Sequence, residues 1–285
     1  MKNAKTNGVY TSKDRRAFNI LAYAFIILIA VLCVLPFWLV IVGSFTSEAE
    51  IYSRGYSLIP HEFSLEAYQM AFKYPDRVLR AYGITVSITA LGTFLSLLIT
   101  SMCGYALQRD DFKSRGFFTM FVFFTMLFSG GLVPWYLLIT NYLKLKDTYL
   151  ILILTQLVNV FYVILMTNFM KTVPKALIEA AKIDGAGEFY TFFRIVLPLV
   201  KPALASIGMF TALNYWNEWR TGMLFLQNSD LFPLQYYLYR LLNSVEFLKN
   251  ATVAMSSDIS SLDFPSESLK LAMTVIATGP IICLY

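Results

Sequence analysis

Residues 179–202 read EAAKIDGAGEFYTFFRIVLPLVKP, a polar stretch between two hydrophobic runs. Helix-forming residues fill Lys175–Ile183, which predicts a first helix. Asp184 and Gly185 then interrupt this helix, because glycine takes positive φ without penalty and aspartate can cap a following helix. The stretch therefore predicts a helix–turn–helix loop, which Leu197-Pro198 ends.

The turn and the second helix of this loop offer different surfaces. Glu179 and Asp184 carry negative charges suited to an Arg or Lys on a partner protein. Small residues would let the turn enter a groove with close backbone contact; they are Ala180, Ala181, Gly185, Ala186 and Gly187. An apolar stripe would hold the second helix against the rest of the protein; it consists of Phe189, Phe192, Phe193 and Val196. The plain alternative is an ordinary amphipathic loop.

The sequence around the loop is that of a membrane protein. Hydrophobic residues make up 57% of the chain and charged residues only 14%, whereas soluble domains average about 25% charged residues. Six runs reach or approach the ~20 apolar residues that cross a bilayer as a helix. They are Ile20–Gly43, Tyr82–Leu107, Phe117–Ile139, Tyr149–Phe169, Ala203–Leu226 and Leu269–Tyr285. We predict an all-α, polytopic fold with six transmembrane helices.

The distribution of Lys and Arg predicts that the N-terminus lies inside the cell. Thirteen of the 23 basic residues lie in the segments 1–19, 108–116 and 170–202, and nine lie in 44–81, 140–148 and 227–270. We therefore predict a cytoplasmic N-terminal segment, 1–19, and a transmembrane domain, 20–285. This domain carries a cytoplasmic loop at 170–202 and outer loops at 44–81, 140–148 and 227–268.

The two ends of the chain carry further expectations. The first apolar run has 24 residues, longer than the 7–15 of a signal peptide, so we predict an uncleaved first span. The last run stops after 17 residues, in mid-span. The chain is therefore expected to be incomplete at its C-terminus.

The sequence offers no site for catalysis or for a resident cofactor. It contains no nucleotide-binding GxxxxGK[ST] motif, no GxSxG and no HExxH. Its single histidine, His61, and its three cysteines show no metal-ligand spacing, so no metal site is predicted. The net charge of +5 is spread over short loops, which fits a bilayer with anionic lipids better than a nucleic acid. A membrane-embedded enzyme would need a catalytic cluster that the sequence lacks.

The fifth apolar run contains a candidate substrate path, Asn214–Arg220, with the sequence NYWNEWR. Glu218 and Arg220 are ionisable at membrane depth, where each costs about 2.5–3.5 kcal/mol, so they should face a polar cavity or a partner. Flat rings and an amide, the groups that suit a sugar, come from Tyr215, Trp216, Asn217 and Trp219.

Trp216 and Trp219 are three residues apart and would lie on neighbouring faces of one helix, where both rings could line the path. Two alternatives stay open, one for the tryptophans and one for Arg220. The alternative to a sugar path is an interfacial tryptophan belt with snorkelling charges. Arg220 would either recognise acidic sugars or serve as a structural partner, and its closeness to Glu218 favours the structural role.

The loop at 179–202 resembles the EAA loop of the permease subunits of binding-protein-dependent ABC importers. The matching residues are Glu179, Ala180, Ala181, Asp184, Gly185, Ala186, Ile195, Leu197 and Pro198. Two further stretches, Trp216–Trp219 and Gly130–Tyr136, are similar to elements of carbohydrate-importing permeases. The chain looks most like the smaller permease of the maltose-type oligosaccharide importers, in a branch associated with complex or uronic-acid-containing glycans.

The resemblance implies a type I ABC importer permease fold and a bacterial cytoplasmic membrane location. It implies a heterodimer with a homologous permease, two ATPase subunits that use ATP and Mg, and an extracellular or periplasmic solute-binding protein that delivers the oligosaccharide. ATPase coupling would fall to Glu179, Ala180, Ala181, Asp184, Gly185 and Ala186.

A self-sufficient secondary transporter or channel is the main alternative. Such a protein would show an inverted repeat and acidic groups along several spans. Here the charge at membrane depth is concentrated at Glu218 and Arg220, and the EAA-like loop favours the importer.

Overall fold

A computed structural model describes residues 13–255 and 266–284, and the regular elements of these residues are helices, apart from one isolated β-bridge. The α-helices are α1 (Lys13–Ser44), α2 (Glu48–Arg54), α3 (Glu66–Ala71), α4 (Pro75–Gln108), α5 (Arg115–Leu127), α6 (Leu132–Leu137), α7 (Tyr149–Leu154), α8 (Val160–Met170), α9 (Lys175–Ile183), α10 (Glu188–Tyr190), α11 (Leu197–Leu199), α12 (Lys201–Trp216), α13 (Arg220–Phe225), α14 (Leu234–Met255) and α15 (Ser266–Leu284). Residues Leu138–Tyr142 and Thr191–Val196 form π-helices, and Ser229–Leu231 a 3-10 helix. The prediction of an all-α protein is confirmed.

Helix length and composition identify fewer spans than the six apolar runs. In the described residues, Phe18–Ser44 and Pro75–Gln108 are each long and apolar enough to cross a membrane. Two bent pairs raise the number to as many as four if each pair is one span. They are Arg115–Leu127 with Leu132–Tyr142, bent by 111°, and Glu188–Leu199 with Lys201–Trp216, bent by 83°. The six-span topology and its orientation stay predictions.

Two of the apolar runs are interrupted within the membrane-like sequence. The run 149–169 breaks between α7 and α8, where the Asn159 side chain accepts a hydrogen bond from the Phe161 N–H, at 3.0 Å. The run 203–226 breaks between α12 and α13, where Glu218 accepts one from the Thr221 N–H, at 2.6 Å. Each acceptor satisfies an amide at a new helix start, and this compensates for the break.

Contacts divide the described chain into two compact units, and the first runs up to Ala71 and resumes at Val245. In it, α1 packs against α15, and the contact is close at Gly43. A Cβ built there would lie 2.5 Å from Cδ1 of Leu271. A larger residue at position 43 would therefore require the Leu271 side chain to move.

Glu48 fastens the start of α15 within this first unit. Its side chain is buried, and its carboxylate accepts the backbone N–H groups of Glu267 and Ser268, each at 2.9 Å. The hydroxyls of Ser266 and Ser268 donate to the same carboxylate, at 3.0 and 2.9 Å. A negative charge at a helix N-terminus also interacts favourably with the helix dipole. Glu48 thus caps α15 from outside the helix.

The second unit, Phe72–Ser244, is built around α4, a single helix of 34 residues. It packs against α8 and α12, and glycines on α4 permit close approach: the Tyr215 ring lies over Gly92, and Met166 over Gly104. Near the start of α4, Thr85 accepts the backbone N–H of Leu234 at 2.8 Å. The other end of α4, at Gln108, leads directly to the loop described next.

Candidate functional site

The predicted helix–turn–helix forms, and its turn has the geometry of a Schellman motif. Helix α9 ends at Ile183, and the N–H of Gly185 donates to the Lys182 carbonyl at 3.0 Å. The N–H of Ala186 donates to the Ala181 carbonyl at 2.9 Å, and Gly185 has a φ of +79°. These bonds satisfy carbonyls at the helix end, and the positive φ explains the glycine. Residues 175–187 therefore hold one defined turn.

One detail of the predicted loop is wrong. Asp184 caps the C-terminus of α9 and does not cap the next helix, whose N-cap is Gly187. The second helix ends at Leu199, next to the predicted Leu197-Pro198, and the following helix from Lys201 is bent from it by 83°.

The residues assigned to ATPase coupling divide by exposure. Glu179, Ala180, Asp184 and Gly185 are exposed, Ala186 is half-buried, and Ala181 is buried on the underside of α9. A residue that the sequence analysis missed, Ile183, is 87% exposed at the tip of the turn. The sequence feature that could have indicated its exposure is its position as an apolar residue between the charged Lys182 and Asp184. The turn thus presents a small apolar tip flanked by acidic groups.

Two of the four residues in the predicted apolar stripe hold the second helix of the loop against the rest of the protein. Phe192 and Val196 are buried in a cluster with Tyr105 of α4 and Met166 of α8. The other two members are exposed, Phe189 by 69% and Phe193 by 45%. Phe192, Phe193 and Val196 lie in a π-helix, Thr191–Val196, whose i→i+5 bonding changes the angular spacing that an α-helical stripe assumes.

A network of charges joins the end of α4 to both helices of the loop. Arg109 makes a bidentate pair with Asp111, at 2.8 Å from Nε and 2.5 Å from Nη2, and Nη2 also lies 3.0 Å from Glu188. Lys182 of α9 donates to Asp111 at 2.8 Å, and the Tyr105 hydroxyl donates to Glu188 at 2.7 Å. The hydrogen bonds from Arg109 and then Lys182 hold the pKa of Asp111 well below its ordinary value.

A second set of ion pairs lies beside the first. Asp110 pairs with Lys175, at the start of α9, and with Arg115 at 2.6 Å. The hydrogen bonds from Lys175 and then Arg115 lower the pKa of Asp110. Sequence reasoning treated segment 108–116 only as a source of positive charge, although its adjacent acids Asp110 and Asp111 signalled pairing. The segment anchors the loop.

Reversing one charge of this network should loosen the loop. Asp111→Lys places a third cation between Arg109 and Lys182, and Lys182→Asp places an acid against Asp111. We expect each single variant to lower uptake per ATP hydrolysed several-fold, because exposed pairs contribute up to about 1 kcal/mol each and Asp111 makes more than one. The double variant Asp111→Lys/Lys182→Asp restores one opposite-charge pair and should recover part of the loss. A double variant no better than the worse single variant contradicts this role.

The candidate substrate path is not one continuous helix. Helix α12 ends at Trp216 and α13 begins at Arg220, so the prediction that Trp216 and Trp219 lie on one helix is wrong. Trp216 is buried, whereas Trp219 is exposed and its ring stands 5.1 Å from that of Tyr239. Two separate environments therefore replace the single wall expected from the sequence.

The other residues of the predicted substrate path, Tyr215, Asn217 and Glu218, each lie in a different environment. Tyr215 is fully buried, and its hydroxyl donates to the Ile153 carbonyl at 2.8 Å. Asn217 is exposed and accepts a hydrogen bond from Gln235 at 3.3 Å. Glu218 is bound by Gln156 and by the Thr221 N–H, and makes no ion pair with Arg220. Tyr215 and Glu218 thus have structural contacts, and the assignment of a substrate path stays a prediction.

Comparison with known proteins identifies the class. No family model matches the sequence. The chain is 38% identical over 274 residues to the polygalacturonan/rhamnogalacturonan transport system permease protein YtcP of Bacillus subtilis, covering 95% of this chain and 93% of that protein. It is 36% identical to protein LplC of Bacillus subtilis, covering 99% and 94%.

A more distant relative and a solved structure agree with this. The arabinooligosaccharides transport system permease protein AraQ of Halalkalibacterium halodurans is 34% identical, over 78% of this chain and 80% of that protein. A crystal structure of a bacterial ABC transporter involved in the import of the acidic polysaccharide alginate superposes with a TM-score of 0.79 at 26% identity, covering 98% of this chain and 97% of that chain. The chain belongs to the carbohydrate ABC transport system permeases.

Proposed function

We propose that this chain is the transmembrane permease subunit of an ATP-driven importer that takes up oligosaccharides, with complex or uronic-acid-containing glycans as its candidate substrates. It lies in the bacterial cytoplasmic membrane as a multi-pass protein with six spans and an inside N-terminus. The single observation that carries the proposal is the Schellman turn at Asp184–Ala186 with its exposed tip, on a loop tied to α4. A rigid, exposed turn can bind an ATPase and transmit its movement to the helices behind it.

The partners follow from the family and from the absence of a nucleotide motif in the sequence. A homologous second permease completes a heterodimer, two ATPase subunits bind and hydrolyse ATP with Mg, and a solute-binding protein delivers the sugar outside. Closure of the ATPases draws the two coupling turns together and opens the spans outward. Glu179 and Asp184 are both exposed and can pair with basic residues of the ATPase.

Reconstitution tests this function. The complete importer in proteoliposomes, with its binding protein outside and ATP inside, should accumulate at least one member of an oligosaccharide panel. Non-hydrolysable ATP analogue in place of ATP serves as the control and should abolish accumulation. Uptake driven by a proton or sodium gradient without ATP would contradict the proposal and favour a secondary transporter.

A further inference from the structure

A cavity of about 620 Å³ lies at the break between α5 and α6, in the second unit. Its wall includes Ser129, Gly130, Gly131 and Trp135, and Arg220 of α13 closes one side. The volume falls in the range of roughly 300–1,000 Å³ that small-molecule sites occupy. The structure thus brings together two stretches that the sequence placed 85 residues apart, the Gly130–Tyr136 element and the end of the NYWNEWR run.

Arg220 is a cation without a carboxylate partner in the part of the chain that the structure describes. None of the ion pairs or hydrogen bonds among residues 18–247 and 266–282 includes its guanidinium. Glu218, two residues earlier, is already bound by Gln156 and the Thr221 N–H. Arg220 and Glu218 therefore do not pair with each other, and the structural role favoured from the sequence stays a prediction. A charged group in an apolar run needs an anion or water, and the cavity offers space for either.

The other lining residues include groups suited to a sugar. The Trp135 ring is held edge-on against Phe225, with ring centroids 5.0 Å apart, so its position is fixed. A Cβ built at Gly130 meets nothing within 4 Å, which leaves peptide groups accessible from the cavity. The Ser129 hydroxyl adds a polar group and accepts the Gly131 N–H at 3.3 Å. The cavity lining thus combines an aromatic ring, a hydroxyl and glycine backbone with one cation, Arg220.

We propose that this cavity binds a uronic-acid unit of the transported oligosaccharide, with Arg220 as the partner of its carboxylate. The inference rests on the proposed function as an oligosaccharide importer and adds the residue that selects acidic sugars. Guanidinium binds carboxylate through two parallel hydrogen bonds, which a hydroxyl cannot reproduce. A neutral sugar leaves Arg220 unpaired, and this difference produces the selectivity.

A pair of probes that differ only in charge tests the site. Trigalacturonate and its fully methyl-esterified form have the same sugar rings, but only the first has carboxylates. The equilibrium binding of both probes is measured on the complete permease–ATPase complex in nanodiscs. The solute-binding protein is left out, so that its own preference for one probe does not affect the result. Arg220→Gln should weaken trigalacturonate binding about tenfold or more, the loss of one charge-assisted contact. Methyl-ester binding should be unchanged, and Arg220→Lys should lose less than Arg220→Gln.

Arg240→Gln is the matched control, because the Arg240 guanidinium lies over the Phe232 ring, 5.1 Å from its centroid, and does not line the cavity. It should bind both probes like the wild type. If Arg220→Gln weakens the binding of both probes equally, Arg220 is a structural residue. If it weakens the binding of neither, Arg220 is a lipid-facing anchor. Either result overturns the proposal. An importer that transports neutral oligosaccharides while trigalacturonate fails to bind the wild type would refute this site and leave the proposed function standing.

Discussion

A Gly185→Trp variant is expected to insert and express like the wild type and to transport nothing. Gly185 has a φ of +79°, and a Cβ there meets nothing within 4 Å, so the indole would not disturb the packing of this chain. The left-handed backbone costs a side chain about 1–2 kcal/mol, which the anchored loop should tolerate. The ring would instead project from the turn where the ATPase is proposed to dock. Uptake and co-purification of the ATPase are the measurements.

Gly55 provides a closely matched control. Its φ is +77°, and a Cβ built there also meets nothing within 4 Å, but it follows α2, far in sequence from the coupling loop. Gly55→Trp carries the same backbone strain and should still co-purify with the ATPase in wild-type yield. Normal uptake by Gly185→Trp would refute the assignment of Asp184–Ala186 as the coupling turn. Equal loss of ATPase binding in both variants would show that strain alone is responsible.

The second large effect is expected on stability, from Glu48→Ala. Its carboxylate is 4% exposed and accepts four hydrogen bonds at the start of α15 from Ser266, Glu267 and Ser268. Removing it takes this acceptor from the backbone N–H groups of Glu267 and Ser268 and from the Ser268 hydroxyl, at a cost of roughly 2–4 kcal/mol in the free energy of unfolding. Thermal unfolding of the purified protein measures the loss. Glu62→Ala removes an exposed acid of the same unit and should change stability by less than about 0.5 kcal/mol.

The same carboxylate predicts a pH dependence. Burial alone would raise the pKa of Glu48, but the hydrogen bonds from Glu267, Ser268 and Ser266 outweigh burial and hold the pKa below its ordinary value of 4.5. A carboxyl whose pKa is lowered by folding stabilises the folded state above its unfolded pKa, and this contribution fades as the pH falls. The difference between wild type and Glu48→Ala should therefore be full near pH 7 and shrink below about pH 4.5. A difference that grows in acid would contradict the capping role.

Local features were predictable from the sequence, because short-range chemistry determines them. The turn at Gly185 depends on one residue's freedom at positive φ, and the helical class depends on apolar runs of sufficient length. The break before Arg220 was not predictable, because hydrophobicity continues through it. It depends on Gln156, 62 residues from Glu218, which helps to hold the carboxylate that caps α13.

The candidate site shows the same limit. Exposed acids at Glu179 and Asp184 follow from the loop pattern, whereas the ties of Lys175 and Lys182 to Asp110 and Asp111 link residues 65 and 71 positions apart. No periodic pattern in the sequence reveals ion pairs between segments this far apart. For that reason the anchoring role of segment 108–116 and the free guanidinium of Arg220 required the three-dimensional arrangement.

The unbroken length of α4 has a mechanical consequence. At 1.5 Å per residue its 34 residues form a rod of about 50 Å. At its end, Tyr105 and the following Arg109 bind Glu188 of the loop 170–202. Near its start, Arg80 pairs with Asp230 and Thr85 accepts the Leu234 N–H. A helix without a break resists compression along its axis. A displacement of the turn by the proposed ATPase partner would therefore shift both ends of α4 together.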